Sequence, residues 1–362
     1  MKAIKQPQKV DTTIVRTHAL LHMAKSIHSI QGASAQGINF CEPTIDLATI
    51  KNNLDQLECL YYFNSQHYVS GIANVNSPNN VMINGVINDS LNNILNRIVK
   101  TDEKKHDDNV QKRAANKLVW HYNEAIALPF IPAKLAIVGA GSNAIEIATI
   151  YQALGATVDI IITGDELFPE LDKDINKTFQ RYVKRLFKIK PQAEISAFNF
   201  IDNQVQLSVT SKNKALPDCL YDAVFIADDT DSQRDLLTQP FMATSFPTVV
   251  WLGWTEQQLA SSTLNYQVIN LLWRSLGRAN TDVNTNGLTK LIFNTDDHTL
   301  IGGGMIGNNA DEIFGEVCLA IHNKLTANNI AHTVHAHPTL HESILLAAEM
   351  YLGTATDVLN EA

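Results

Sequence analysis

The sequence lacks paired cysteines, and this absence excludes several kinds of site. Its 362 residues include four cysteines that stand far apart, with no CxxC or CxxxxC pair and no zinc-type spacing among them. They are Cys41, Cys59, Cys219 and Cys318. The spacing therefore predicts neither a cysteine-based metal site nor a redox disulfide. Isolated cysteines of this kind predict reduced, buried thiols in a cytoplasmic protein.

Long apolar runs and basic clusters are missing as well. No stretch approaches the roughly 18 consecutive apolar residues of a membrane span, and no apolar run follows the lysines near the start, so neither a span nor a signal peptide is predicted. The formal net charge of −9 argues against nucleic acid and anionic membranes as partners. With 45% apolar residues, the chain can form more than one core, so we expect two or three domains.

Helical and strand-like spacings alternate along the chain. Apolar residues at helical spacing predict helices over residues 11–36 and 45–60. Short β runs follow at residues 68–75 and 81–83, with an Asn-Gly turn signal at residues 84–85. Residues 88–118 are asparagine-rich or almost entirely polar, which predicts a loosely held connector. From residue 246 onward the pattern is typical of an α+β domain.

A strand over residues 134–138 leads through a glycine turn into a helix. Gly139 permits a tight turn, Gly141 lets the backbone approach a pyrophosphate, and Ala144 is a small residue where helix meets strand. This context predicts a dinucleotide-binding fingerprint. However, Thr163 stands where an acidic residue should hold the ribose. Two interpretations have equal weight: a nucleotide site, or a packed βαβ unit that binds no nucleotide.

A histidine and a glutamate near the end of the chain form the second candidate site. His337 lies in a turn, and Glu342 follows five positions later, where an apolar helix begins. A carboxylate that orients an imidazole makes a general acid/base near neutral pH. Alternatively, Thr339 and Glu342 form a Thr-x-x-Glu capping box that only satisfies backbone amides. A third interpretation is a metal site. The histidines available to it are His332, His335, His337 and His341.

These segments together resemble the dihydrolipoamide dehydrogenases, the flavin- and NAD-dependent disulfide oxidoreductases of 2-oxoacid dehydrogenase complexes. The resemblance is most specific at residues 335–342, which match the family's C-terminal motif nearly letter for letter. Residues 287–293 and the pair Gly315-Glu316 support it. Residues 138–175 are similar to the family's NAD domain, and residues 18–38 to the helix that follows its redox disulfide.

The resemblance implies an α/β fold with three parts. Residues 1–118 would be a truncated remnant of the FAD-binding domain, residues 119–245 a Rossmann-like NAD-type βαβ domain, and residues 246–362 an α+β dimerisation domain. In the family, a histidine/glutamate pair from one subunit serves the disulfide of the other. By the motif, His337 matches that base and Glu342 its orienting carboxylate. The positions on the NAD side that match are Gly139, Gly141, Ala144 and Glu146.

Several positions depart from the family pattern. The two redox cysteines would fall at Lys9 and Ile14, and neither side chain performs thiol–disulfide exchange. Only about ten residues precede them, too few for a first strand and a glycine-rich FAD loop. The family lysine of this helix is His18 here. The glycine turns that contact FAD after the NAD domain have no counterpart within residues 228–246.

The sequence therefore predicts a pseudoenzyme that lacks bound FAD, binds NAD weakly and keeps dimerisation. It would form a homodimer, or a heterodimer with a genuine homologue to which it lends His337 and Glu342. The alternative is an active FAD- and NAD-dependent dihydrolipoyl dehydrogenase-type enzyme, in which Cys41 or Cys59 replaces the lost sulfurs. No metal is predicted.

Overall fold

The computed structural model describes residues 13–41, 43–66, 73–77, 80–83, 86–87, 117–212, 214–228, 234–282 and 285–356. Two long helices, α1 (Thr13–Gly32) and α2 (Leu47–Gln66), come first. The buried residues of α1 recur at helical spacing, and α1 packs against α2 and against the domain that follows. Three short antiparallel strands come next: β1 (Ala73–Ser77), β2 (Asn80–Ile83) and β3 (Val86–Ile87). Most of the predicted connector, residues 88–116, lies outside the described residues.

A five-stranded parallel sheet forms the centre of the next unit. Its order is β4-β12-β5-β6-β7, so β12 lies between β4 and β5. The strands are β4 (Val119–Trp120), β5 (Lys134–Val138), β6 (Thr157–Ile161), β7 (Lys188–Lys190) and β12 (Ala223–Ile226). The helices of this unit are α3 (Tyr122–Ile126), α4 (Ser142–Ala153) and α5 (Lys173–Val183). This arrangement is Rossmann-like.

An antiparallel meander is inserted between β7 and β12. The hairpin of β8 (Ala193–Ile201) and β9 (Gln204–Ser211) turns at residues 202–203. The remaining strands are β10 (Lys214–Ala215) and β11 (Cys219–Tyr221). Below the meander, Asp159 of β6 bonds to the Tyr221 hydroxyl at 2.7 Å and pairs with Lys190 at 3.0 Å. Burial alone would raise the pKa of Asp159. The hydrogen bond from Tyr221 and the ion pair with Lys190 together have the larger effect, so the pKa lies below its usual value.

The C-terminal unit is a five-stranded antiparallel sheet covered by helices. Its order is β13-β14-β17-β16-β15. The strands are β13 (Phe241–Ala243), β14 (Thr248–Gly253), β15 (Tyr266–Leu272), β16 (Leu288–Asn294) and β17 (Leu300–Gly307). The helices are α6 (Glu256–Leu259), α7 (Gly277–Thr281), α8 (Ala310–His322), α9 (Ala327–Ala331) and α10 (Glu342–Leu352). Single 3₁₀ turns lie at Ala33–Gln36 and Trp273–Ser275.

The two faces of this second sheet join different cores. Because side chains alternate along a strand, Val249 and Trp251 of β14 face the core shared with the parallel-sheet unit. Val250 and Leu252 belong to the other core, on the side of the sheet where β14 contacts α8. Both faces of the strand are buried, so it reads as a continuous apolar run in the sequence.

A buried lysine also connects the two units. The ammonium of Lys290 on β16 lies 2.7 Å from Asp172 Oδ1, lies 2.8 Å from Asp174 Oδ2 and also contacts Glu256. Burial lowers the pKa of Lys290, but the hydrogen bonds that its ammonium donates to the three carboxylates dominate and raise the pKa above its usual value. Asp172 is the N-cap of α5, and Glu256 begins α6, so this cluster fixes the position of the two helices.

Two sequence-based expectations are corrected. The thiols are free as predicted, but none is fully buried: Cys41 and Cys59 are exposed, and Cys219 and Cys318 are half-buried. The C-terminal helix begins at Glu342 with His341 as its N-cap, so Thr339 is not the capping residue. Within the described residues, no helix is both long and apolar enough to cross a membrane.

Candidate acid/base and nucleotide sites

The loop between α9 and α10 brings His337 and Glu342 together. Nδ1 of His337 lies 2.8 Å from Glu342 Oε1, while Glu342 Oε2 accepts a 2.8 Å hydrogen bond from the Thr339 amide. The Thr339 hydroxyl turns away and donates to the Ala336 carbonyl at 2.8 Å. Glu342 therefore performs both roles that the sequence suggested as alternatives. It orients the imidazole, and it satisfies one backbone amide ahead of the helix.

This contact determines which nitrogen of His337 is available for chemistry. A carboxylate only accepts hydrogen bonds, so Nδ1 carries the proton of the neutral ring and Nε2 keeps a lone pair. The His337 side chain is 78% exposed, and that of Glu342 is 18% exposed. The oriented nitrogen can take a proton from, or return one to, a group that approaches from outside this chain.

The start of α10 is fixed from below by a buried chain of hydrogen bonds. The Trp273 indole N–H donates to the Thr289 hydroxyl at 2.9 Å, and that hydroxyl donates to the Ser343 hydroxyl at 2.8 Å. All three residues are buried. Because Ser343 follows Glu342 directly, these hydrogen bonds fix the backbone position from which the Glu342 carboxylate extends.

Glu316 on α8 is a participant whose role the sequence does not reveal. Its Oε1 lies 2.7 Å from His335 Nε2, and its Oε2 lies 2.9 Å from His341 Nδ1. Local spacing gives no signal for this, because the partners lie 19 and 25 positions away in the sequence.

The geometry does not favour the histidine metal site. His332 Nδ1 faces the Asn328 carbonyl at 2.9 Å, and His335, His337 and His341 each face a carboxylate oxygen. In the part of the chain that the structure describes, one group of three potential ligands has converging atoms. It consists of Asp172, Asp174 and Glu256, and the Lys290 ammonium already contacts all three carboxylates.

The glycine turn has the conformation that the sequence predicts. Gly139 has φ +119°, and a Cβ there would lie 3.0 Å from the Ala227 Cβ. The Gly139 amide donates to the Ile161 carbonyl at 2.9 Å, and the Gly141 amide to the Leu167 carbonyl at 3.0 Å. Both glycine amides thus already donate hydrogen bonds to carbonyls of the same chain. An anion would have to use amides of the first turn of α4, where Ala144 is buried.

The neighbouring positions fit a dinucleotide only in part. Glu146 on α4 accepts a 3.3 Å hydrogen bond from the Thr244 amide, at the end of β13. Strand β6 ends without a carboxylate: Ile162 is buried and Thr163 is exposed. The exposed Asp165 carboxylate lies close by, but it accepts a 2.9 Å hydrogen bond from Gln192. The glycine conformation matches the sequence pattern, whereas the carboxylate that would hold a ribose is missing at the end of β6.

The residues of α1 do not fit a flavin disulfide centre. Ile14, at the place that the resemblance assigns to the second redox cysteine, is 62% exposed, and Lys9 lies outside the described residues. His18 is exposed on the same helix. Further along, the His28 ring stacks on Phe246 with centroids 5.1 Å apart. Without sulfur here, no redox step can be assigned to these residues.

Family models match most of the chain. Residues 76–240 match the model described as pyridine nucleotide-disulphide oxidoreductase. Residues 240–348 match the model for the dimerisation domain of the pyridine nucleotide-disulphide oxidoreductases. Both glycines of the turn lie in the first match, and His337 and Glu342 lie in the second.

Curated relatives include dihydrolipoyl dehydrogenases from Vibrio cholerae and Haemophilus influenzae. Each is 28% identical and aligns with 96% of this chain, covering 88% and 87% of the relative. The Vibrio alignment extends over 426 positions, more than the chain's 362 residues, so parts of the relative have no counterpart here.

Solved structures share the fold. LpdA from Mycobacterium tuberculosis has a TM-score of 0.70 at 14% identity. The flavoprotein disulfide reductase RclA from Escherichia coli has a TM-score of 0.70 at 15% identity. Both comparisons cover 93% of this chain and 89% of the other.

Proposed function

The chain belongs to the pyridine nucleotide-disulphide oxidoreductase family, and on this premise we propose that it is a dihydrolipoyl dehydrogenase relative without flavin-linked disulfide chemistry. In this proposal, residues 1–118 are a shortened remnant of the FAD domain, residues 119–245 an NAD-type domain, and residues 246–362 the dimerisation domain. The cytoplasm is the proposed compartment because all four cysteines are free.

One contrast between two sites carries the proposal. The His337–Glu342 hydrogen bond is formed, with Nε2 of the imidazole directed outward. The position that should hold a redox sulfur holds the aliphatic side chain of Ile14. Without a redox thiol in this chain, the acid/base pair has no thiol to protonate or deprotonate in a dimer of identical subunits.

The acid/base pair can act on a partner subunit instead. A dimer with a genuine homologue would place His337 where that homologue supplies the flavin and the disulfide. His337 would then accept and return the thiol proton, and Glu342 would stabilise the imidazolium that forms. A homodimer, in contrast, would keep the interface without the chemistry. The dimerisation domain supports both assemblies.

A complementation experiment tests this role. A homologous dihydrolipoyl dehydrogenase, inactivated at its own acid/base histidine, is co-expressed with this chain, and the two are purified through a tag on this chain. We expect dihydrolipoamide oxidation with the normal chain and none with the matched His337→Gln variant. Failure of the two chains to co-purify, or equal activity with both variants, would refute the lending of His337.

NAD binding through the Gly139 turn is the weaker part of the proposal. The positive φ values at Gly139 and Gly141 support a phosphate-facing turn, while the missing ribose carboxylate predicts low affinity. Calorimetry should give weak heats with NAD. No heat at millimolar ligand would leave the turn with a packing role only.

The alternative is an active flavin enzyme that uses displaced thiols. The exposed Cys41 and Cys59 favour it, because accessible thiols can react. The visible spectrum of the purified protein separates the two candidates. We expect no flavin absorbance; flavin near one equivalent per chain, lost activity in a Cys41→Ser variant, or both, would favour the alternative.

A further inference from the structure

The loop that carries His337 is poorly fixed by packing. Between α9 and α10 the side chains of Thr333, Val334, Ala336 and Pro338 are all exposed, with Val334 at 96%. Leu340 is the buried apolar residue of this stretch. An exposed loop of this kind is held by its hydrogen bonds rather than by burial.

Two of those hydrogen bonds converge on one carboxylate. Glu316 binds His335, which precedes His337 by two positions, and His341, which follows it by four. Glu316 lies on α8, a regular helix with a buried apolar face. One rigid side chain thus holds the loop on both sides of His337.

The hydrogen bond between His335 and Glu316 is short and shielded from water. Nδ1 of His335 lies 2.8 Å from the Thr333 carbonyl, which only accepts, so this nitrogen donates. The other ring nitrogen, Nε2, lies 2.7 Å from Glu316 Oε1, so both ring nitrogens have a hydrogen-bond partner. The His335 side chain is 6% exposed, so water competes little for this contact.

We propose that Glu316 is a positioning residue for His337: it anchors the loop through His335 and His341 and thereby keeps the His337–Glu342 hydrogen bond formed. The inference rests on the proposed acid/base role of His337 for its significance. Its test does not measure catalysis, so failure here and failure of the complementation experiment are distinguishable.

A glutamine at position 316 can preserve the geometry without the charge. Its carboxamide N–H would donate to Nε2 of a singly protonated His335, and its oxygen would accept from Nδ1 of His341. Glu316→Gln should therefore keep the loop in place, whereas Glu316→Ala removes both anchors. Glu312→Ala, on an exposed position of the same helix, is the matched control for loss of one carboxylate.

The tautomer of His337 is the readout. The full chain is labelled with ¹⁵N in its histidine rings, and the His337 signals are identified by their loss in His337→Asn. We expect two well-separated ring nitrogen signals at a pH where the ring is neutral, with the proton on Nδ1. Glu316→Ala should reduce that separation by about half or more, as the two tautomers become similarly populated. Glu316→Gln and Glu312→Ala should keep it.

Two results would overturn the proposal. One is an unchanged His337 tautomer in folded Glu316→Ala. The other is an equal reduction in the separation of the His337 ring nitrogen signals in Glu312→Ala. If Glu316→Ala does not fold, His341→Ser carries the same test, because it removes one of the two anchors and should reduce the separation in part. An unchanged spectrum in that variant would overturn the proposal as well.

Discussion

Replacing Lys290 by methionine removes the cation that three carboxylates surround, while keeping a side chain of similar length. Two of those carboxylates, on Asp174 and Glu256, are 52% and 36% exposed and can be hydrated. Asp172 is 1% exposed and would remain as a buried, uncompensated anion. Removing one partner of a buried ion pair costs about 3–5 kcal/mol. At a urea slope of roughly 2–3 kcal/mol/M, this lowers the unfolding midpoint by about 1–2.5 M.

The reasoning can be checked by urea unfolding, followed through tryptophan fluorescence, on a small set of variants. Asp174→Asn removes an exposed partner and should cost no more than about 1 kcal/mol. Combining Lys290→Met with Asp172→Asn should recover part of the loss, because asparagine still caps α5 and no buried anion remains. Equal midpoints for Lys290→Met and Asp174→Asn would refute the claim that the buried charge determines the cost.

Three further outcomes are expected. The folded pKa of Asp159 lies below its ordinary 3.8, so the stability that its carboxylate contributes is fully present above pH 3.8 and is lost as the pH falls through the folded pKa. Urea unfolding should therefore show that the stability difference between the normal chain and Asp159→Asn becomes smaller in that acid range. Gly139→Ala should cost about 1–3 kcal/mol by thermal unfolding, because its φ is positive and the new Cβ meets backbone, whereas Gly277→Ala, with open space around it, should cost little. His337→Ala should change stability by less than about 0.5 kcal/mol, whereas Glu342→Ala should cost about 0.5–2 kcal/mol for the lost backbone contact; a larger loss at His337 would contradict its assignment as an exposed group.

The parts of the fold that the sequence predicts are those set by short-range geometry. The turn at residues 202–203, the cap at Thr255 and the αL residue Gly353 are each formed within a short stretch of sequence. Each depends on neighbours a few positions away, because a hairpin or a cap is satisfied by its own segment. The glycine turn at Gly139 is predictable for the same reason: its conformation follows from the adjoining strand and helix.

The contacts that organise the candidate site arise from separate elements, and sequence spacing does not encode them. Lys290 meets Asp172 across 118 positions, and Glu316 reaches His335 and His341 only when α8 packs beside the loop. Burial of the thiols was mispredicted for a related reason. Cysteine is often buried, but the exposure of Cys41 depends on what covers the segment after α1.

The survival of the His337–Glu342 geometry has a structural cause that is independent of catalysis. Glu342 accepts a hydrogen bond from a backbone amide and lies at the start of a helix that buried hydroxyls hold in place. Loss of its carboxylate would therefore lower the stability of the fold. His337 has no comparable structural contact beyond Glu342, and its ring projects into solvent. If folding were the sole constraint, position 337 would accept many side chains, whereas position 342 would not. An oriented Nε2 at an exposed position is therefore the feature of this loop that folding alone does not require, which is why we propose a partner's thiol as the group it meets.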